Sequence, residues 1–353
     1  MHFLDIRLHS HLLTDHDYTT VSDIVRHYGC LQAQDIGQAQ RVIGSRLPWA
    51  TQQDIRQALS DWSIVRTRPM RGTLHYMAPE HVHRMLDLCA SKTVKGFAKR
   101  REFLWISDRD ADKALDLMTK ALQGWKNLTR SAMGEMLAAW GIPMQTQRVY
   151  HLCCYAATRK LICFGPPTDK EETFVLLDER VAKPKILTHD EQLATLARMY
   201  IRSHGPATVD DLARWTGLWK TECKKAIALV ADEFDTIEQS GKTYYYKTPP
   251  HIKSSKSVHL LGWFDEYFIG YKDRSPVADT EHHGKMFTSN GIFFPLILLD
   301  GKVVGTWKRT WKKNDVLIDL TPLPGIKLPM NLIQHEAEKY AQFRGKEKAI
   351  ITK

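Results

Sequence analysis

Three times along this sequence, a pair of helical periodicities runs into two short β-rich segments separated by a turn. In TTVSDIVRHYG, the residues Val21, Ile24, Val25 and Tyr28 mark one helical face. SIVRTRPMRGTLHYM then puts β-branched residues on both sides of a Pro-Met-Arg-Gly turn. The second copy opens at LTRSAMGEMLAAWGI, with Thr129 as helix cap, an end near Gly141 and Pro143 shortly after. A further helix runs from Arg148 to Arg159, and LICFG and TFVLLDERV flank the polar tip PPTDKEE. In the third copy Glu191 to Ser203, ATVDDLARWTGL and TECKKAIALVADE read as helices, with Gly217 where a helix-turn-helix places its glycine. TIEQ and TYYYK around Ser-Gly-Lys close that unit.

A helix pair followed by a hairpin is the plan of a winged helix, whose second helix docks in a DNA groove while the hairpin lies beside the backbone. Beyond Pro250 the pattern changes to short apolar and aromatic runs broken by Asn290-Gly291, Asp300-Gly301 and Asn314-Asp315, which are hairpin signals. A small β-barrel or curved sheet follows from this. A closing helix runs from Asn331 to Phe343, with Ile333, Ala337 and Tyr340 on one face. The fold class expected is therefore α+β, with three tandem winged helices followed by a C-terminal β-barrel. The boundaries fall at residues 1–115, 116–185, 186–250 and 251–353. A length of 353 residues accommodates this number of small domains.

The longest apolar stretch, Ile292 to Leu299, is far short of the roughly 20 residues a membrane helix needs, which predicts no membrane span. The opening MHFLDIRLHSHLLTDHD lacks the continuous apolar region of a signal peptide, so the expected location is the cytoplasm. Six cysteines without a CxxC pair or zinc-finger histidines argue against a disulfide scaffold or a structural zinc. The net charge of +10, from 50 Lys and Arg against 40 Asp and Glu, favours a polyanionic partner, because neutralised phosphates release counterions.

The sequence contains no HExxH, GxSxG, P-loop or GxGxxG signature. Its most suggestive segment is Gly29-Cys30-Leu31-Gln32-Ala33-Gln34-Asp35. In an extended conformation Gln32 and Gln34 point to one side while Leu31 and Ala33 anchor the other. The triplet alone carries little weight, since Gln38/Gln40 and Gln145/Gln147 repeat it.

LQAQD resembles the catalytic Gln-x-Gln motif of the AlkZ-like DNA glycosylases, a group also described as winged-helix DNA-binding domain-containing proteins. Further matches follow in order: MRGTLH (Met70 to His75), ERV (Glu179 to Val181), SHGPATVDDLARWTGL (Ser203 to Leu218), FDEYFIGYKDRS (Phe264 to Ser275) and NGIFFPLILLDGKVVGTWKR (Asn290 to Arg309). The resemblance covers nearly the whole chain. Gln34 sets it closer to the Gln-x-Gln branch than to the YcaQ-like branch, which carries Asp there. Leu261-Gly262-Trp263 departs from the family, where a proline is expected in the leucine-rich approach to FDEY.

The resemblance implies a concave DNA-binding surface and excision of N7-alkylated purines from double-stranded DNA, including unhooking of interstrand crosslinks. Beside this, a monomer without cofactor or metal is expected. Such a purine already carries positive charge, so its glycosidic bond breaks without a strong general acid. The enzyme must then mainly stabilise the oxocarbenium ion and place water at C1′. Gln32 and Gln34, whose carbonyl oxygens can hold a water, are the expected catalytic pair. Asp35 is either a stronger base beside them or the N-cap of the next helix.

Arg66, Arg68, Arg71 and His75 lie on the first wing. Alternation there sends Arg66 and Arg68 toward phosphates and His75 toward the glutamines, or else the wing is an ordinary solvated hairpin. Lys308, Arg309, Lys312 and Lys313 on the barrel, and Lys95, Lys99, Arg100 and Arg101 on a helix, are candidate phosphate contacts. His282 and His283 are expected on a barrel hairpin that probes the minor groove, by resemblance to the family. Asp265, Tyr267 and Arg274 fit a buried network and DNA contact equally well. The alternatives to an enzyme are a winged-helix regulator that only binds DNA and a scaffold that does not.

Overall fold

The computed structural model describes residues 3–142, 146–166, 171–249, 256–288 and 293–352. The chain forms two compact units, one of residues 1–55, 193–215 and 219–353, the other of residues 56–192 and 216–218. Among the described residues, no helix is long and apolar enough to cross a membrane.

In the first unit, Thr20 and Asp23 form a reciprocal capping box that starts the helix Val21–Tyr28, and Gly29 closes it at φ 72°. The predicted face is buried, with Ile24, Val25 and Tyr28 at 0% exposure. The next helix, Ile36–Gly44, starts at Asp35. A five-stranded sheet runs in the order Lys348–Thr352, Asp315–Pro322, Lys302–Trp311, Leu296–Leu299, Val258–Leu260. Its neighbours are antiparallel except the pair Asp315–Pro322 and Lys348–Thr352, which is parallel. A parallel neighbour requires a long crossover, and the helix Met330–Phe343 supplies it. Ile333, Ala337 and Tyr340 of that helix pack with Ile297, Trp307 and Ile318 of the sheet. The sheet has two ends and is a curled half-barrel; five strands are fewer than the roughly eight of small closed barrels.

The hairpin turns follow local chemistry. Asp300 and Gly301 adopt φ values of 50° and 80° between the paired Leu299 and Lys302. Ser240 and Gly241 do the same at 50° and 70°, and Arg71 and Gly72 at 53° and 71°. Two successive positive φ values match the right-handed twist of the flanking strands, and glycine tolerates the second without strain. The hairpin signal Asn290-Gly291, Pro143 and the tip Pro167–Lys170 lie outside the described residues.

In the second unit, strand Thr73–Met77 pairs with Val65–Met70, then Ile162–Phe164, Thr173–Leu176 and Leu128–Thr129 follow in order, all antiparallel. Thr129 caps the helix Arg130–Ala139 by accepting from Ala132 N. A core including Met118, Met133, Leu137, Leu152, Phe164 and Phe174 lies beneath this sheet. All six cysteines are buried free thiols.

Candidate active site

Leu31 and Ala33 are fully buried, Gln32 is half-buried and Gln34 exposed, so the expected alternation holds. Gln32 N donates to Glu266 Oε1 at 3.1 Å. The side-chain oxygen of Gln32 is shielded and, among the described residues, has no hydrogen-bond partner. Asp35 Oδ1 accepts from Gln38 N at 3.0 Å, which is the N-cap interaction.

Glu266 is fully buried on the short helix Glu266–Ile269. Its Oε2 accepts from Trp215 Nε1 at 3.1 Å and lies 3.5 Å from His204 Nε2. Burial lowers the His204 pKa, partly opposed by Glu266. The His204 ring stacks on Tyr200, with centroids 4.5 Å apart. Gly270 belongs to this packing, because a Cβ there would lie 2.6 Å from His204 Cδ2. His11 bridges Tyr28 Oη at 3.1 Å and Tyr271 Oη at 2.6 Å, and burial pushes its pKa well below the usual range.

The buried-network reading of Asp265 and Tyr267 is the one the structure displays. Arg46 holds Asp265 with two bonds, at 2.5 and 2.7 Å, and both side chains are fully enclosed. Asp265 Oδ1 also accepts from Tyr267 N, and Tyr267 Oη donates to Gly301 O at 2.7 Å. Arg274 donates its Nε to Phe268 O at 2.8 Å and lies over the Phe268 and Phe293 rings. Burial, with Arg214 adding, pulls its pKa down to about 10.

The two cations of the barrel strand do not form one patch. Lys308 pairs across the sheet with Asp319 and is exposed, whereas Arg309 points to the other face. With the Gln38 amide oxygen turned toward it, Arg309 donates from Nη2 at 2.7 Å and Nη1 at 3.1 Å. Arg309 and Arg344 both lie against the Trp311 ring, 5.3 and 4.9 Å from its centroid. Burial is the main cause lowering the Arg344 pKa, and Asp35 is among the groups that oppose it. Gly262 fits closely here, since an added Cβ would sit 3.1 Å from Arg41 Cγ.

His282 and His283 occupy a 3-10 helix, Thr280–Lys285, rather than a hairpin strand. His283 Nε2 is 3.3 Å from Ala278 O, and His282 Nε2 is 3.4 Å from Glu281 Oε1. Phe287 and Phe293 form an isolated antiparallel bridge.

The first wing belongs to the second unit and is not a solvated hairpin. Arg66 and Arg68 are each only 5% exposed. Arg66 pairs with Glu172 at 2.9 Å and lies over Phe164, while Arg68 hydrogen-bonds Tyr150 Oη and Gly72 O. Arg66 is covered where the strand Ile162–Phe164 pairs alongside it, and Arg68 lies against Tyr150 of the helix Thr146–Thr158. His75 faces Thr67 and Arg66 faces Tyr76, so the histidine and Arg66 lie on opposite faces of the hairpin. His75 is fully buried and its pKa falls to about 3, mainly through desolvation, with Arg71 adding. Arg71 is at the turn with φ 53°. The helix Ser91–Phe103, carrying Lys95, Lys99, Arg100 and Arg101, buries none of its residues, and Arg101 pairs with Asp108 at 2.8 Å.

Sequence reasoning missed Glu266, His204, Trp215, Gln38 and Arg344. Glu266 carried a signal, a carboxylate inside the aromatic run FDEYFIGY, where a charge is kept only if hydrogen-bonded. Arg344 carried none.

A model of the DNA glycosylase AlkZ-like family matches residues 25–343. An interstrand DNA cross-link repair glycosylase from Streptomyces sahachiroi is 25% identical over 366 aligned residues, covering 96% of this chain and 95% of that protein. The solved structure of Streptomyces sahachiroi DNA glycosylase AlkZ matches with a TM-score of 0.82 at 22% identity, covering 99% of this chain and 98% of that one. The mixed α+β fold is thus the same in both.

Proposed function

The chain belongs to the AlkZ-like DNA glycosylase family, and from that premise we propose that it is a monofunctional glycosylase excising N7-alkylated purines from double-stranded DNA. The observation that supports this reading is the extended segment 32–34, whose backbone is tied to the buried Glu266 at Gln32 and which leaves Gln34 exposed. Pre-orientation of this kind favours holding one water in a fixed position.

An N7-alkylated purine leaves as a neutral base when the C1′–N9 bond breaks, so the leaving group needs no proton first. Gln32 and Gln34 orient the attacking water on the sugar face, and their carbonyl oxygens polarise it as positive charge grows at C1′. The water's proton passes to solvent, because an amide does not take it. An uncharged pair also limits the enzyme to lesions that are already cationic. Asp35 acts as the helix cap.

Residues 1–115, 116–185 and 186–250 serve as three winged-helix segments ahead of the barrel segment 251–353. Lys308, Arg71, His282 and His283 make contacts to the duplex, and Arg309 braces the helix that follows the glutamines. Crosslinked purines are also substrates, consistent with the name of the Streptomyces relative. The protein acts as a monomer, in the cytoplasm, where the nucleoid is accessible.

The test is incubation with duplex containing N7-methylguanine, followed by heat or alkali to reveal abasic sites. Wild-type protein is expected to produce them and Gln32→Ala and Gln34→Ala to lose excision. Tight binding that leaves the DNA unchanged is the outcome of the competing reading, a winged-helix regulator. Full activity in both variants removes the glutamines from the mechanism.

A further inference from the structure

The second compact unit contains a cavity of about 750 Å³, and of its lining residues only Arg71 has a part in the function proposed above, as a duplex contact. Cavities of about 300–1,000 Å³ are the size that encloses small organic ligands. The charged side chains on its walls are Arg68, Arg71, Lys92 and Arg100, with no Asp or Glu among the described lining residues. The remaining wall includes Phe97, Tyr150 and His151.

Two buried side chains of its wall keep nitrogens without a hydrogen-bond partner among the described residues. Arg68 is 5% exposed, and its Nε has no hydrogen-bond partner among the described residues. His151 is also 5% exposed, and its Nε2 is likewise without one. Burial, with Arg101 and Arg100 adding, pulls the His151 pKa down to about 4, so the ring is neutral at pH 7 and can donate or accept. Phe97 meets His151 edge to face at 5.1 Å, which sets an aromatic wall beside the cations. Several arginines with little negative charge nearby suit a phosphate, and aromatic faces suit a planar ring.

We propose that this cavity is a nucleotide site, taking one phosphate against Arg68, Arg71 and Arg100 and one planar base beside Phe97 and Tyr150, whether the nucleotide is free or a unit of a DNA strand. Neither Gln32 nor Gln34 lines it, so the proposal stands apart from the assignment of the excision chemistry.

The experiment is calorimetric titration of the full chain with dGMP, guanosine and inorganic phosphate. Binding of a free nucleotide is the readout, so the result is separate from the success or failure of excision. Gly96 offers a blocking variant, because it lines the cavity on the helix Ser91–Phe103 and a Cβ there meets no atom within 4 Å. Replacing a mid-helix glycine favours the helix, so Gly96→Leu should keep or raise the melting temperature. Wild-type protein is expected to bind dGMP saturably, guanosine more weakly, and to release dGMP when phosphate is added. Gly96→Leu should remove binding, and Arg100→Glu, at an exposed position, should weaken it about tenfold or more. No saturable dGMP binding, guanosine bound as tightly as dGMP, or wild-type affinity in both variants would each overturn the proposal. A second arm separates the sources. Displacement of bound dGMP by a short mismatched duplex identifies a nucleotide of the strand, and dGMP retained on DNA-loaded protein identifies a free one.

Discussion

Glu266→Gln exchanges one carboxylate oxygen for an amide nitrogen at nearly constant volume. The native side chain accepts from two fixed donors, Gln32 N and Trp215 Nε1, each at 3.1 Å. A carboxamide has one acceptor oxygen, so one of those donors must then face an NH₂ group. Trp215 is fully buried and locked by its size, and the same oxygen lies beside His204. The amide oxygen therefore stays with Trp215, and Gln32 N loses its partner. A hydrogen bond to a charged group contributes about 1.5–3 kcal/mol, and a buried donor left unmatched costs about 1–3 kcal/mol. Gln32 is half-buried, so water relieves part of the second cost and the expected loss of stability is about 2–4 kcal/mol. The larger effect is on rate: displacement of a positioning group by about 1 Å can cost about 10²-fold. The assay is single-turnover excision of N7-methylguanine at saturating enzyme, beside urea denaturation followed by tryptophan fluorescence and a DNA-binding titration. Wild-type excision in a variant of reduced stability would show that something other than Glu266 positions Gln32. Unchanged stability as well would refute the hydrogen bonding described around this carboxylate.

Asp35→Ala should remove a helix cap at a cost of about 0.5–2 kcal/mol in urea denaturation while excision stays within a few-fold of wild type; a fall of about 10²–10⁴-fold would instead make Asp35 the base. Lys308→Glu should weaken duplex binding and lower the slope of log K against log salt by about one or more, and an unaltered slope removes this residue from the footprint. Asp265→Asn leaves Arg46 buried against a neutral side chain, so urea denaturation should register a loss of about 3–5 kcal/mol; a loss below about 1 kcal/mol would mean that the pair is not enclosed. His75 stays neutral in the fold down to about pH 3, whereas in the unfolded chain it takes up a proton near 6.5. The unfolded state then binds more protons across that window, so this residue lowers stability by about 1.4 kcal/mol per pH unit as pH falls from 6.5 toward 3. His75→Gln should flatten the dependence measured by urea denaturation between pH 4.5 and 7, and an equal slope in both proteins would contradict its burial as a neutral ring.

The parts of this protein legible in its sequence are those whose cause is local. The turns Arg71-Gly72, Ser240-Gly241 and Asp300-Gly301 need two positive φ values, and glycine at the second position advertises that need. Asp35 and Thr129 cap the helices they precede, because a cap is a contact between residues three apart. The burial of Leu31 and Ala33 beside the more exposed Gln32 and Gln34 follows from a strand period of two.

The charged residues were legible as candidates but not in their roles. Arg66 and Arg68 read as a phosphate-facing pair on an open wing, and they are enclosed because another strand pairs alongside Arg66 and Tyr150 lies against Arg68. Lys308 and Arg309 read as one basic patch, and successive strand positions send them to opposite faces. The sequence by itself determined the capped helices, the glycine turns and the glutamine segment, since each depends on neighbours a few residues away. Only the tertiary structure decided that Glu266 lies against Gln32 across 234 positions, that Arg46 encloses Asp265 across 219, and which cations remain in water. The physical reason is that desolvation and partner choice are set by what packs over a side chain, and periodicity along the chain carries no record of that.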